Sequence, residues 1–80
     1  MYFEKMCING VIVVRARDCA KFLDLRVKEI AEYYFAGCYW LSASTALQLL
    51  KNESVARSTG WSPTALHTYI AFKQLCTKYA

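Results

Sequence analysis

Apolar and polar positions follow two different periods along the chain. In the opening "MYFEKMCINGVIVVRAR", Tyr2, Phe3, Met6 and Ile8 precede Asn9-Gly10, and a β-branched run from Val11 to Val14 follows it. Asn-Gly is the preferred dipeptide of a two-residue type I′ turn, because both central positions need positive φ. This predicts two short antiparallel strands, near 2–8 and 11–15. From Asp18 onward the period lengthens. Cys19, Ala20, Leu23, Val27, Ile30, Ala31 and Tyr34 recur at helical spacing, with Asp18 as the candidate N-cap. An interruption is allowed at Asp24-Leu25, since Asp tolerates the left-handed conformation better than most residues. After Gly37, "CYWLS" can form a short extended piece.

The second half reads as three helical segments. Ser42 or Ser44 caps "TALQLLKN", which Asn52 closes; "SVARST" follows and Gly60 stops it. The last helix is "PTALHTYIAFKQLCTKY", with Ser62 as cap and Pro63 at the first helical position, where a missing N–H is harmless. The expected fold is α+β and mostly helical: a β-hairpin followed by about four short helices, in one domain spanning 1–80. No repeat, low-complexity tract or linker is visible.

The stretch "VARSTGWSPTALHTYI" holds the only proline and the only histidine of the chain. A helix-turn-helix needs a small residue in its first helix, a residue tolerant of positive φ four positions later, an apolar plug after the turn, and anchors that pin the second helix. Ala56, Gly60, Trp61 and Leu66 with Tyr69 or Ile70 fill these places, and Val55 precedes Ala56 on the buried side. The pattern A-x3-G-x5-L resembles the general helix-turn-helix family over about a fifth of the chain. That resemblance implies a recognition helix with its N-terminal turns in the major groove. Thr64, Ala65, His67 and Thr68 are then the base-facing set: Thr and Ala for thymine methyls, Thr and His for base edges. Lys51, Arg57 and Lys73 are the phosphate set. The helix has no Arg, Asn or Gln in its first turns, so strong bidentate reading is absent. An ordinary αα-corner, which also favours Gly followed by Ser-Pro, is the competing reading.

Ala20, Asp24, Leu25 and Ile30 repeat the same offsets upstream, with Asp in the place of the turn glycine. Arg26, Lys28, Glu29 and Glu32 would face outward there, and two carboxylates oppose phosphates, so this segment is assigned to scaffold or interface. "INGVIVVRARDCAKFLDL" is similar to the opening of phage antirepressor-type modules through Ile8-Asn9-Gly10, Ala16-Arg17-Asp18 and Phe22-Leu23, over less than a quarter of the chain. "AGCYWLSASTALQLL" resembles the wing-then-helix of small excisionase-like proteins. These resemblances imply a compact regulator of the kind carried by phages and other mobile elements.

Charge agrees with a nucleic-acid partner mainly in the second half. The net charge is +4 and the pI about 9.0. Residues 1–40 carry six cations against five anions, whereas residues 41–80 carry four against one. Composition adds a second point: a chain of 80 residues that is 56% hydrophobic and 15% aromatic leaves apolar surface uncovered, so a homodimer or a protein partner is expected. Tyr33, Tyr34, Phe35, Tyr39 and Trp40 are the candidate anchors of such an interface, and a small protein-binding modulator (inhibitor, adaptor or antirepressor) is the alternative function.

Other classes are disfavoured. Cys7, Cys19, Cys38 and Cys76 form no close pair, so neither a metal site nor another cofactor is expected, and they read as free, mostly buried thiols in a reducing cytoplasm. No basic-then-apolar leader with a cleavage site is present. "YYFAGCYWL" is far short of the ~20 residues that cross a bilayer, so no membrane association is expected. His67 has no cysteine nearer in sequence than Cys76, nine residues on along the same predicted helix, and there is no glycine-rich phosphate loop. An enzyme is not expected.

Overall fold

The computed structural model describes residues 3–35, 37, 39–57 and 61–80, with side chains excepted at 53–57. Strands β1 (Lys5–Ile8) and β2 (Val11–Arg15) form the expected hairpin. Asn9 (φ 51°) and Gly10 (φ 80°) both take the positive φ that the turn requires. The register pairs Lys5 with Val14 and Ile8 with Val11. "WLS" is strand β3 (Trp40–Ser42), which runs antiparallel to β2 with Val14 opposite Leu41. The sheet order β1-β2-β3 makes β2 central. It buries the successive residues Val13 and Val14, so both faces are covered at that point.

Strands β2 and β3 each run straight into a helix. Helix α1 (Ala16–Leu23) begins directly after β2, and Ala16 N–H donates to Tyr39 O at 3.0 Å, fixing where it starts. That junction overrides the capping expected of Asp18: the N-cap position is Arg15, without a side-chain cap, and Asp18 sits in the first turn. α1 ends at Asp24, which adopts the left-handed conformation (φ 57°, ψ 39°), and Leu25 N–H returns to Ala20 O at 3.0 Å. The interruption therefore falls where the sequence allowed it. The chain resumes as a 3-10 segment (Val27–Tyr33) broken at Ile30, instead of a continued α-helix.

Helix α2 (Ala43–Arg57) follows β3 directly. Of the two candidate caps, Ser42 holds the position: its Oγ accepts from Thr45 N–H at 3.2 Å. Contrary to the expected break at Asn52, one helix spans the segments read as two. Asn52 is exposed and accepts from the Gln48 amide at 3.4 Å, and Asn in a helix interior costs only a few tenths of a kcal/mol to about 0.7 kcal/mol. Helix α3 (Pro63–Tyr79) starts as predicted, with Ser62 Oγ accepting from Ala65 N–H at 3.1 Å and Pro63 in the first turn.

The core lies between α1, α2, α3 and the sheet, with Leu23, Ile30, Leu41, Leu50, Phe72, Cys19 and Cys76 fully or almost fully buried. Phe22 is its aromatic hub. Its ring meets Phe72 at 5.3 Å, Tyr69 at 5.7 Å, Trp61 at 6.1 Å and Phe3 at 6.2 Å. This cluster ties α1 to α3 and sets the rotation of α3 about its own axis.

Candidate nucleic-acid interface

The aromatic cluster buries Thr68, Tyr69, Phe72 and Cys76 on one face of α3. The opposite face presents Leu66, His67, Ile70 and Gln74. Two sequence assignments change as a result. Thr68 is only 9% exposed, and its hydroxyl donates to Thr64 O at 2.9 Å, so it does not face a groove. Leu66, expected as an anchor, is instead 39% exposed, and of the alternatives Tyr69 and Ile70 it is Tyr69 that is buried, with Ile70 46% exposed. Tyr69 takes the anchoring role alone, helped by Trp61, whose ring lies 5.0 Å from it. The physical cause is phase: Phe22 selects Tyr69 and Phe72, which brings Thr68 and Cys76 inward on the same face and turns Leu66 and Ile70 outward.

Of the remaining base-facing candidates, Thr64 and His67 are exposed and Ala65 is half-buried. Their turn is the N-terminal one of a 17-residue helix, where the dipole is positive. Lys51 is exposed on α2, and Lys73 is half-buried with its ammonium 5.9 Å from the Tyr69 ring centroid. The backbone of Val55, Ala56 and Arg57 belongs to α2, but their side chains, and all of Gly60, lie outside the described residues. The small-residue, turn and phosphate roles assigned to Ala56, Gly60 and Arg57 therefore have no structural description.

One cation was missed. Lys21, exposed on α1, lines a groove of about 430 Å³ with Phe22, Trp61, Ser62 and Thr64 at the start of α3. The spacing of the chain could not place it there, because the Phe22 contacts join two helices some forty residues apart in sequence. Gln74 was also missed, although its offset of seven from His67 is a helical-face signal.

The aromatic set splits. Tyr33 and Tyr39 are exposed, Tyr34 and Phe35 half-buried, and Trp40 is buried, with the Arg15 guanidinium 4.3 Å over its ring. Trp40 is thus a core residue and not an interface anchor. Tyr34 packs on Tyr39 at 5.3 Å and its hydroxyl donates to Val27 O at 3.0 Å.

The upstream segment has helix-turn-helix-like punctuation: Ala20 and Ile30 are buried, Leu25 packs on the core, and Asp24 makes the turn. Its second element is short and kinked, and Glu29 accepts from Arg26 N–H at 2.7 Å. Among the described residues no group of three or more His, Cys, Asp or Glu could hold a metal ion, and no helix is long and apolar enough to cross a membrane. No known family, curated protein or solved structure matches the chain.

Proposed function

We propose that this protein is a small cytoplasmic transcriptional regulator that binds double-stranded DNA as a homodimer, with α2 and α3 as its helix-turn-helix. The observation that carries this reading is the start of α3: a Ser62-capped, Pro63-led helix end with exposed Thr64 and His67, beside Lys21. Thr64, Ala65 and His67 contact base edges, Ile70 and Leu66 meet thymine methyls, and Lys51, Lys73 and Arg57 hold phosphates. A dimer doubles a small contact set and so compensates for the absence of a bidentate reader in the first turns.

Replacing Lys51 and Lys73 by Ala tests the assignment. Affinity is expected to fall for every duplex sequence, with the slope of log K against log salt reduced by about one per lysine. An unchanged slope contradicts the phosphate set. The second reading, a protein-binding modulator, is favoured by the exposed Leu66, Ile70, Tyr33 and Tyr39. It predicts a complex with another protein that is nearly insensitive to salt.

A further inference from the structure

A second cleft lies away from α3, where β2 turns into α1. Arg15, Arg17, Val27 and Tyr39 enclose about 320 Å³. The two guanidiniums are held by one carboxylate: Glu4 Oε2 accepts from Arg15 Nε at 3.2 Å, and Glu4 Oε1 accepts from Arg17 Nη2 at 3.4 Å. The Arg15 guanidinium also lies over the Trp40 ring, 4.3 Å from its centroid. Each guanidinium has five N–H donors in a planar fork, so most remain available after Glu4 is served. Arg17 is 67% exposed at its side chain, and Tyr39, which lines the cleft, is 66% exposed. Tyr39 does not hang freely, since its ring rests on Tyr34 and its carbonyl accepts from Ala16 N–H.

We infer that this cleft binds a backbone phosphate of nucleic acid, with Arg17 and Arg15 on the phosphate oxygens and the adjoining sugar or base against Tyr39. Glu4 occupies one edge of each guanidinium, so an incoming group must reach two forks at once. A phosphate, with several acceptor oxygens, does so more readily than a planar carboxylate. Val27 and Tyr39 line the cleft beside the guanidiniums with apolar surface, and an exposed aromatic face is a stacking platform for any base. Arg17 and Lys21 are both exposed one helical turn apart on α1, so the cleft and the groove at the start of α3 lie along one face of that helix. Asp18, on the same short helix, and Glu4 lower the positive charge of this track, so its contribution is local contact more than long-range attraction.

The inference rests on the DNA-binding reading for its ligand. The test uses the full chain and a random duplex, with Arg17→Gln and Tyr39→Ala, both at exposed positions where folding is retained and checked by circular dichroism. Arg17→Gln is expected to weaken binding roughly tenfold at low salt and to reduce the salt slope by about one. Tyr39→Ala is expected to weaken binding without changing the slope. The Arg17 side-chain Nε–H resonance of the wild type should shift on adding the duplex. Wild-type binding that neither variant alters overturns the inference and leaves the α3 reading standing. Absence of wild-type binding at low salt overturns both. A polyglutamate peptide that shifts the Arg17 resonance at lower concentration than the duplex overturns the phosphate assignment in favour of an acidic protein partner.

Discussion

Asp18 shows how position, more than type, decides what a residue does. As a cap it would have had its carboxylate on open backbone N–H groups; in the first turn it is half-buried instead. Burial pushes its carboxyl above the usual 3.8; Arg17 opposes this, Glu4 adds to it, and Lys21 and Arg15 oppose it further. A carboxyl raised in the folded state holds its proton more tightly there than in the unfolded chain. Its ionisation therefore subtracts stability as pH rises from 3.8 through the raised value, and the loss persists above that window. Asp18→Asn is expected to be more stable than the wild type at neutral pH, with the gain fading to nothing below 3.8. Urea midpoints across that range check it, and a gain that grows on acidification contradicts it. Elsewhere the local chemistry was legible. Asn9-Gly10, Asp24 and Ser62 each do what their side chain or backbone freedom implies, because turns and caps depend on neighbours within four residues.

At the level of elements, every strand and helix has a visible cause in the sequence, but lengths and phases do not. Asn52 looked like a stop and is an exposed interior residue of α2, since a weak local preference yields to burial of Leu50 and Ala46 on the same helix. In α3 the apolar residues Leu66, Tyr69, Ile70 and Phe72 are too many for one face, so periodicity alone admits more than one rotation. Phe22 on α1 makes the choice, and it was invisible to a reading that took each helix singly. This is why Thr68 and Leu66 exchanged places between interior and surface. The difference is measurable. Phe72→Ala is expected to cost about 3–5 kcal/mol by urea denaturation, and Leu66→Ala under about 1 kcal/mol. Equal losses contradict the rotation of α3 described above.

On the scale of the whole molecule, the aromatic hub joins α1 to α3, and among the described residues two grooves on the surface each carry at least one cation from α1 or from the residue before it. Cys19 and Cys76, from α1 and α3, are both buried, and burial pushes their thiols up to about 12, first by desolvation and, for Cys19, also by the nearby Cys76. They are packing groups that remain neutral at physiological pH. The excess of cations in the second half was legible from composition, whereas the convergence of Lys21 on the start of α3 required the fold. Under the proposed function, the cationic groups around α3 neutralise DNA phosphates. The most direct test is fluorescence anisotropy of the wild-type protein with a random duplex, titrated with salt at known oligomeric mass. Micromolar binding is expected that weakens linearly in log salt, with a slope of about −0.9 for each phosphate contacted. No binding at low salt, or binding indifferent to salt, contradicts it.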